Sequence, residues 1–238
     1  GLGIPAEPLF RSSPVVDASA AGTTITKAEI VDSYDLGVKY QSANFIFSGA
    51  IFTYEYSDYQ QSYTDQETMQ SITVTVGDST MSGIEGMATY NYSDTLTFTA
   101  SLGFLDAEFA DNTSDGSPFQ YGGNKFRLAP EVSGAININK VVHFDNWTMD
   151  VNWLTSFQSE VFFESSNYPG MSQDTYSLTD FSLKLNRESS EFAYEFYVNN
   201  LFDKEFLIDA GNTGGRIGIP TFVRGMPRIA GVRLYYAF

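Results

Sequence analysis

The chain has 238 residues, with 13 Lys and Arg against 29 Asp and Glu and a formal net charge of −16. That excess of carboxylates argues against nucleic acid as a partner, because phosphate backbones select clustered cations, and against electrostatic docking on an anionic cytoplasmic membrane. No cysteine is present and His143 is the only histidine, which excludes disulfides and thiolate metal sites and removes most imidazole catalysis.

Composition points to an all-β chain. It holds 20 Phe, 15 Tyr and 20 Gly, helix formers are thin, and no apolar run reaches the ~18 residues of a transmembrane helix. Neither a signal peptide nor a Met opens the chain at Gly1, which reads as a processed or cut polypeptide. Residues 1–26, rich in Pro, Ser and Ala, read as a long loop.

From there the hydrophobic period is 2. Weak alternation over 34–40 is followed by 45–56, where the phase slips near Gly49 and a bulge is expected. A further weak segment covers 83–92. The clearest runs over 95–104, with Leu96, Phe98, Ala100, Leu102 and Phe104 opposite Thr97, Thr99, Ser101 and Gly103. Segment 132–139 is weaker, and 147–157 sets Trp147, Met149, Val151, Trp153 and Phe157 against Thr148, Asp150, Asn152 and Ser156. Next come 179–184 and 192–198, and the last strand sets Val232, Leu234, Tyr236 and Phe238 against Arg233 and Tyr235. The period yields about nine strands.

Their connections alternate in length. Short links fall at 41–44, 92–94, 140–146 and 186–190; long polar ones fall at 58–71, 111–124, 164–175 and 203–227. Small turns at one end and large loops at the other describe an antiparallel up-and-down meander of the outer-membrane barrel kind. A soluble sandwich or small soluble barrel has the same alternation, but three features favour lipid. Strands of about 10 residues at ~3.4 Å each, tilted ~45°, cover roughly 24 Å, the height of the apolar band. The apolar faces carry no Lys or Arg in their central stretches, where a cation would cost ~2–4 kcal/mol. Aromatics (Tyr34, Tyr40, Tyr54, Tyr56, Tyr90, Tyr92, Trp147, Phe157, Tyr236, Phe238) crowd the strand ends as interfacial girdles do.

Several stretches carry a family likeness. They are Tyr34-Asp35-Leu36-Gly37-Val38-Lys39, then Phe52 to Gln60, Ser82-Gly83-Ile84-Glu85, Ala129-Pro130, Val198-Asn199-Asn200-Leu201-Phe202-Asp203-Lys204, and Met226-Pro227-Arg228-Ile229-Ala230-Gly231. In this order, from about Lys27 to the terminus, the chain resembles the C-terminal half of TonB-dependent outer-membrane receptors. The resemblance implies about nine to ten strands of a ~22-stranded transmembrane barrel with a plugged lumen. It divides the chain into an extracellular loop segment, 1–26, and barrel, 27–238, with the N-terminal plug and TonB-contacting region absent. It further implies import of a scarce ligand (a ferric siderophore, cobalamin or a glycan) across the outer membrane of a Gram-negative bacterium. The energy would come through the TonB complex. Leu234, Tyr236 and Phe238 would form the membrane-insertion signal read by the barrel-assembly machinery.

The chemistry legible in the residues is sparse. Asp111-Asn112-Thr113-Ser114-Asp115-Gly116 lacks a ligand at Thr113 and the later bidentate Glu of a calcium loop, so it reads as a solvated outer loop. Asn199 to Asp203 reads as turn chemistry, with Asn and Asp bonding local backbone. His143 reads as a turn histidine: no nucleophile elbow, GxGxxG or Walker pattern accompanies it. No catalytic residue, metal ligand or cofactor is therefore expected. The polar faces (Asp35, Lys39, Glu85, Thr97, Thr99, Asp150, Asn152, Asp180, Lys184, Glu195, Tyr197, Arg233) are assigned to the lumen. Ligand contacts are assigned to outer-loop aromatics Tyr63, Phe119, Tyr121, Tyr168 and Phe222. The alternatives left open are a passive porin or structural barrel and a soluble sugar-binding sandwich; an outer-membrane hydrolase is disfavoured for want of a nucleophile.

Overall fold

The computed structural model describes residues 28–64, 71–110, 121–214 and 219–237, and the backbone of two short strands, β1 (Val16–Asp17) and β2 (Thr24–Ile25), which pair with each other. A meander follows: β3 (Ile30–Gln41), β4 (Phe45–Thr64), β5 (Ser71–Ser93), β6 (Leu96–Phe109), β7 (Val132–Phe144) and β8 (Trp147–Gln158). After the small pair β9 (Val161–Phe162) and β10 (Ser172–Gln173) come β11 (Tyr176–Arg187) and β12 (Phe192–Asn199). A separate hairpin, β13 (Leu207–Gly214) and β14 (Ile219–Arg224), precedes β15 (Ile229–Tyr236).

Nine of these form one sheet in the order β15-β12-β11-β8-β7-β6-β5-β4-β3, antiparallel throughout. Each of the nine strands expected from the alternation lies in it. The outermost strands, β3 and β15, are not paired with each other, so the sheet is an open arc of a barrel wall. Turns between β3 and β4, β5 and β6, β7 and β8, and β11 and β12 are tight, while at the other end the connections after β6, β8 and β12 are long and that between β4 and β5 spans 65–70. At the β7–β8 turn Asp145 takes a left-handed backbone (φ 49°), which a short polar side chain tolerates.

Pairing assigns the two faces, because directly opposed residues share a side. Leu36, Ile51, Ile84, Phe104 and Val132 lie in one register row on the outer face. Many of these large apolar side chains are exposed, including Leu36 (69%), Leu102 and Val232, as a lipid-facing surface requires. Packing on this face is close where glycine permits it. At Gly134 an added Cβ would stand 2.6 Å from the Ser101 carbonyl oxygen and 2.8 Å from the Phe157 ring, so only hydrogen leaves room for the aromatic to lie across the strand.

Four expectations are corrected. Register through Gly49 is unbroken; the irregularity lies higher, between Tyr56 and Gln60, where Asp58 has φ 56°. Phe52, Tyr54 and Tyr56 face the lumen, opposite Asp35, Ser33 and Val31, so the two tyrosines do not belong to the lipid girdle. The phase shifts in the sequence because Phe45, Phe47 and Ile51 occupy the outer face while Phe52, Tyr54 and Tyr56 occupy the inner one. Segments 58–71 and 203–227 are not plain loops, since β4 and β5 run on to pair Thr64 with Ser71 and the latter range contains β13 and β14. Finally, His143 sits within β7, hydrogen-bonded through Nδ1 to the Thr148 hydroxyl at 3.2 Å, and not in the turn.

Candidate functional site

The lumenal face is built by the same pairing that builds the lipid face. All twelve polar residues assigned to it fall on one side of the sheet. Asp150, Lys184, Glu195 and Arg233 stand in one row across β8, β11, β12 and β15, with alternating charge. Arg233 Nη1 donates to Glu195 Oε2 at 3.0 Å, the Tyr235 hydroxyl donates to the same oxygen at 2.5 Å, and the Arg233 guanidinium lies 4.0 Å from the Tyr197 ring centre. Lys184 sits 4.7 Å over Tyr235. Opposite charges directly across strands stabilise the pairing and give a wetted wall its shape.

On β3 to β7 the lumenal side chains shrink instead. Gly37, Ala50, Gly103 and Ser133 share a row with Glu85, and the resulting groove of about 670 Å³ has Lys39 and Glu85 as its only charged lining residues. Higher up, Tyr54 donates to Asp35 Oδ1 at 3.2 Å.

Beyond the apolar band the inner face turns aromatic. Tyr59 lies 5.6 Å from both Phe109 and Phe126, these two are 4.6 Å apart, and Tyr121 packs on Phe109 at 5.4 Å. Phe109 is 3% exposed, so this is a small true core capping the wall. Burial pushes the Tyr59 phenol above its ordinary range and nearby Glu29 adds to it; Tyr121 is raised by burial and then by Glu164. A second cluster, Val161, Phe163, Met171 and Ala210 with Leu207 against it, joins the loops around β9, β10 and β13.

Two asparagines fasten these loops. Asn167 accepts from the Lys125 amide at 2.7 Å and donates to the carbonyls of Lys125 and Glu164. Asn200, 5% exposed and left-handed (φ 50°), accepts from the Lys204 amide and donates to the carbonyls of Lys204 and Met226. Its own amide donates to Asp180 Oδ1, and the Arg228 amide donates to Asp203 Oδ1. Turn chemistry in the Asn199 to Asp203 stretch thus closes the base of the β13–β14 excursion.

Of the aromatics assigned to ligand, Tyr121 is built into the cap, whereas Tyr168 (63% exposed) stands on the loop between β9 and β10 and Phe222 (51% exposed) on strand β14. Tyr63 lies on the outer extension of β4, and Phe119 falls outside the described residues. Sequence reasoning missed Tyr59, Phe109 and Phe126; the available signal was the apolar Leu105, Ala107 and Phe109 on the phase that is polar lower in β6. Leu234 and Tyr236 are exposed on the lipid face of β15, and Phe238 lies outside the described residues. Among the described residues no group of three His, Cys, Asp or Glu could hold a metal ion.

The family model for the TonB dependent receptor-like β-barrel matches residues 8–201. The chain belongs to this family. Its members are receptors and transporters of the Gram-negative outer membrane, and the apolar outer face described above is this receptor barrel's lipid surface. No curated protein matches the chain. Among solved structures, the ferric yersiniabactin uptake receptor FyuA of Yersinia pestis superposes with a TM-score of 0.78 at 20% identity, covering 94% of this chain and 32% of that one. The ferric preacinetobactin receptor BauA of Acinetobacter baumannii gives 0.71 at 16% identity, covering 95% and 32%. The copper transporter OprC gives 0.67 at 15%, covering 90% and 33%. These likenesses are of fold, and the chain spans about a third of the length of those receptors.

Proposed function

We propose that the nine-stranded arc is one part of a barrel closed by further strands around a plug, and that the complete receptor imports a scarce ligand with energy delivered through TonB. The observation that carries this reading is the division of one sheet into an apolar outer face, a charged and hydroxyl-rich inner face and an aromatic cap at the long-loop end. Unpaired strand edges are intolerable in lipid, so β3 and β15 need partners. A wall with paired charges suits a lumen filled by protein, where each group finds a bond, better than a bare water channel. FyuA and BauA are receptors for ferric siderophores by name, which makes an iron chelate the first ligand to test, with cobalamin and glycans behind it. In this reading residues 1–26 belong to an extracellular loop, and Leu234, Tyr236 and Phe238 carry the signal for barrel assembly.

The test is uptake. The full-length gene is expressed in a Gram-negative strain deleted for its own siderophore receptors, with and without TonB, and growth on a panel of ferric siderophores is scored. Growth on at least one chelate that vanishes without TonB is expected. Conductance of small solutes that persists without TonB would replace importer with passive porin.

A further inference from the structure

The lipid face carries its charges in two separate places. At the long-loop rim the outward-facing charges of the nine strands are all carboxylates: Asp32, Glu55 and Glu108 align through Thr80, with Asp106 one row below. At the tight-turn rim the outward-facing charges on the strands themselves are cations, while the turns below carry Asp94, Asp145, Glu188 and Glu191. Among the described residues only Lys140 and Arg187 are outward-facing cations on these strands, and neither is in an ion pair with a carboxylate.

The two stand on either side of β8. Lys140 lies on β7, in a row with Leu96, Val151 and Leu183, and its stem runs along apolar surface while Nζ donates to Thr95 Oγ1 in the turn below, at 2.8 Å. Arg187 ends β11 in the row of Phe144 and Trp147, its guanidinium 5.8 Å from the Trp147 ring centre. Between them the outer face of β8 presents Trp147, Met149 and Val151, a track for an acyl chain with a cation on each flank of its polar end. Tight turns face the periplasm in outer-membrane barrels, so these cations stand at the headgroup level of the periplasmic leaflet.

We infer that Lys140 and Arg187 form a docking site for the phosphate of an anionic phospholipid in that leaflet, with its acyl chain along β8. The inference rests on the outer-membrane orientation and not on the identity of any imported ligand. Guanidinium presents paired donors to phosphate oxygens and ammonium a compact charge. Neither has a carboxylate partner, so the Arg187 donors and the two Lys140 donors not held by Thr95 are left for a lipid. The carboxylates at the opposite rim would repel the same headgroup.

The test is native mass spectrometry of the full-length receptor released from mixed micelles holding equal amounts of phosphatidylglycerol and phosphatidylethanolamine with the same acyl chains. Wild type is expected to retain phosphatidylglycerol preferentially. Lys140→Gln and Arg187→Gln should each lower that preference about fivefold, and the pair about 25-fold. A charge-conserving pair, Lys140→Arg with Arg187→Lys, should keep it. No preference in wild type, its survival in the double glutamine variant, or its loss in the charge-conserving one would overturn the inference. Uptake is not the readout, so failure of the importer reading leaves this result interpretable.

Discussion

Replacing Asn200 by alanine removes three side-chain hydrogen bonds at once, to the Lys204 amide at 2.8 Å and to the carbonyls of Lys204 and Met226 at 2.9 and 3.1 Å. Each contributes about 1 kcal/mol net. The site is 5% exposed, so water does not readily replace them. Alanine must also hold the left-handed backbone at φ 50°, which adds about 1 kcal/mol. The sum is about 4 kcal/mol, local to the root of the β13–β14 excursion. Asn200→Gly relieves the backbone contribution and should lose about 3 kcal/mol by the same reckoning. Asn200→Asp keeps the acceptor but sets a carboxylate against two carbonyls and near Asp180, and should be at least as damaging as alanine. The assay is urea unfolding of the full-length receptor in detergent, followed by heat-modifiable gel mobility, with Phe202→Ala as an exposed neighbour control. If Asn200→Ala unfolds with the control, within about 0.5 kcal/mol, the clasp is not holding the loop and the reasoning fails.

Three further outcomes are expected. Leu102→Arg places a cation on the lipid face and should reduce the folded fraction in outer membranes by about 2–4 kcal/mol, whereas Ser101→Arg, on the lumenal face, should be tolerated; the reverse order on a heat-modifiability gel would invert the two faces. Tyr59 and Tyr121, raised in the folded state, contribute stability that is fully present below the unfolded tyrosine value of about 10 and is lost as pH climbs through the higher folded values. Tyrosinate absorbance should therefore show a late-titrating component that shrinks in Tyr59→Phe and Tyr121→Phe; an unchanged profile in both would contradict their burial. Gly83→Val brings a Cβ to 2.5 Å from the Phe52 ring and 2.7 Å from the Phe104 carbonyl oxygen, costing about 1–3 kcal/mol by overpacking. Adding Phe52→Leu should restore part of the loss seen in urea melts, and no restoration would assign the strain to backbone alone.

The wall was legible because a membrane strand is a one-dimensional object: lipid on one side and water or protein on the other force a period of 2. The tight turns were legible for the same reason, as interruptions of that period, although the links read at 140–146 and 186–190 took in the ends of β7 and β11. Reading failed where the rule changes. From Phe52 upward the inner face of β4 carries Phe52, Tyr54 and Tyr56, which mimics a slip near Gly49, and above them the inner face of the sheet buries Ala107 and Phe109 beside a half-buried Tyr59. The extensions of β4 and β5 escaped notice because Ser, Thr, Gln and Tyr alternate there without an apolar stripe, and cross-strand hydroxyl pairs such as Ser62 with Thr73 hold them instead. Of the ligand assignments, loop position alone could nominate Tyr121, Tyr168 and Phe222. Whether an aromatic faces solvent or fills a core depends on partners that adjacent residues do not reveal. The Asn200 clasp was legible only in part: Lys204 is a neighbour in the chain, whereas Met226 and Asp180 lie 26 and 20 residues away.

That clasp separates two jobs along the polypeptide. Residues 200–204 and 225–228 are bonded to one another and to Asp180, so the chain leaves β12 and returns to β15 through a fixed gate. Whatever is inserted between the gateposts cannot shift the pairing of Asn199 with Ile229 behind them. The hairpin there is in effect an exchangeable cassette, free to lengthen, shorten or change its exposed side chains while the wall keeps its register. A lineage could redraw the exposed surface of that rim without relearning how to fold.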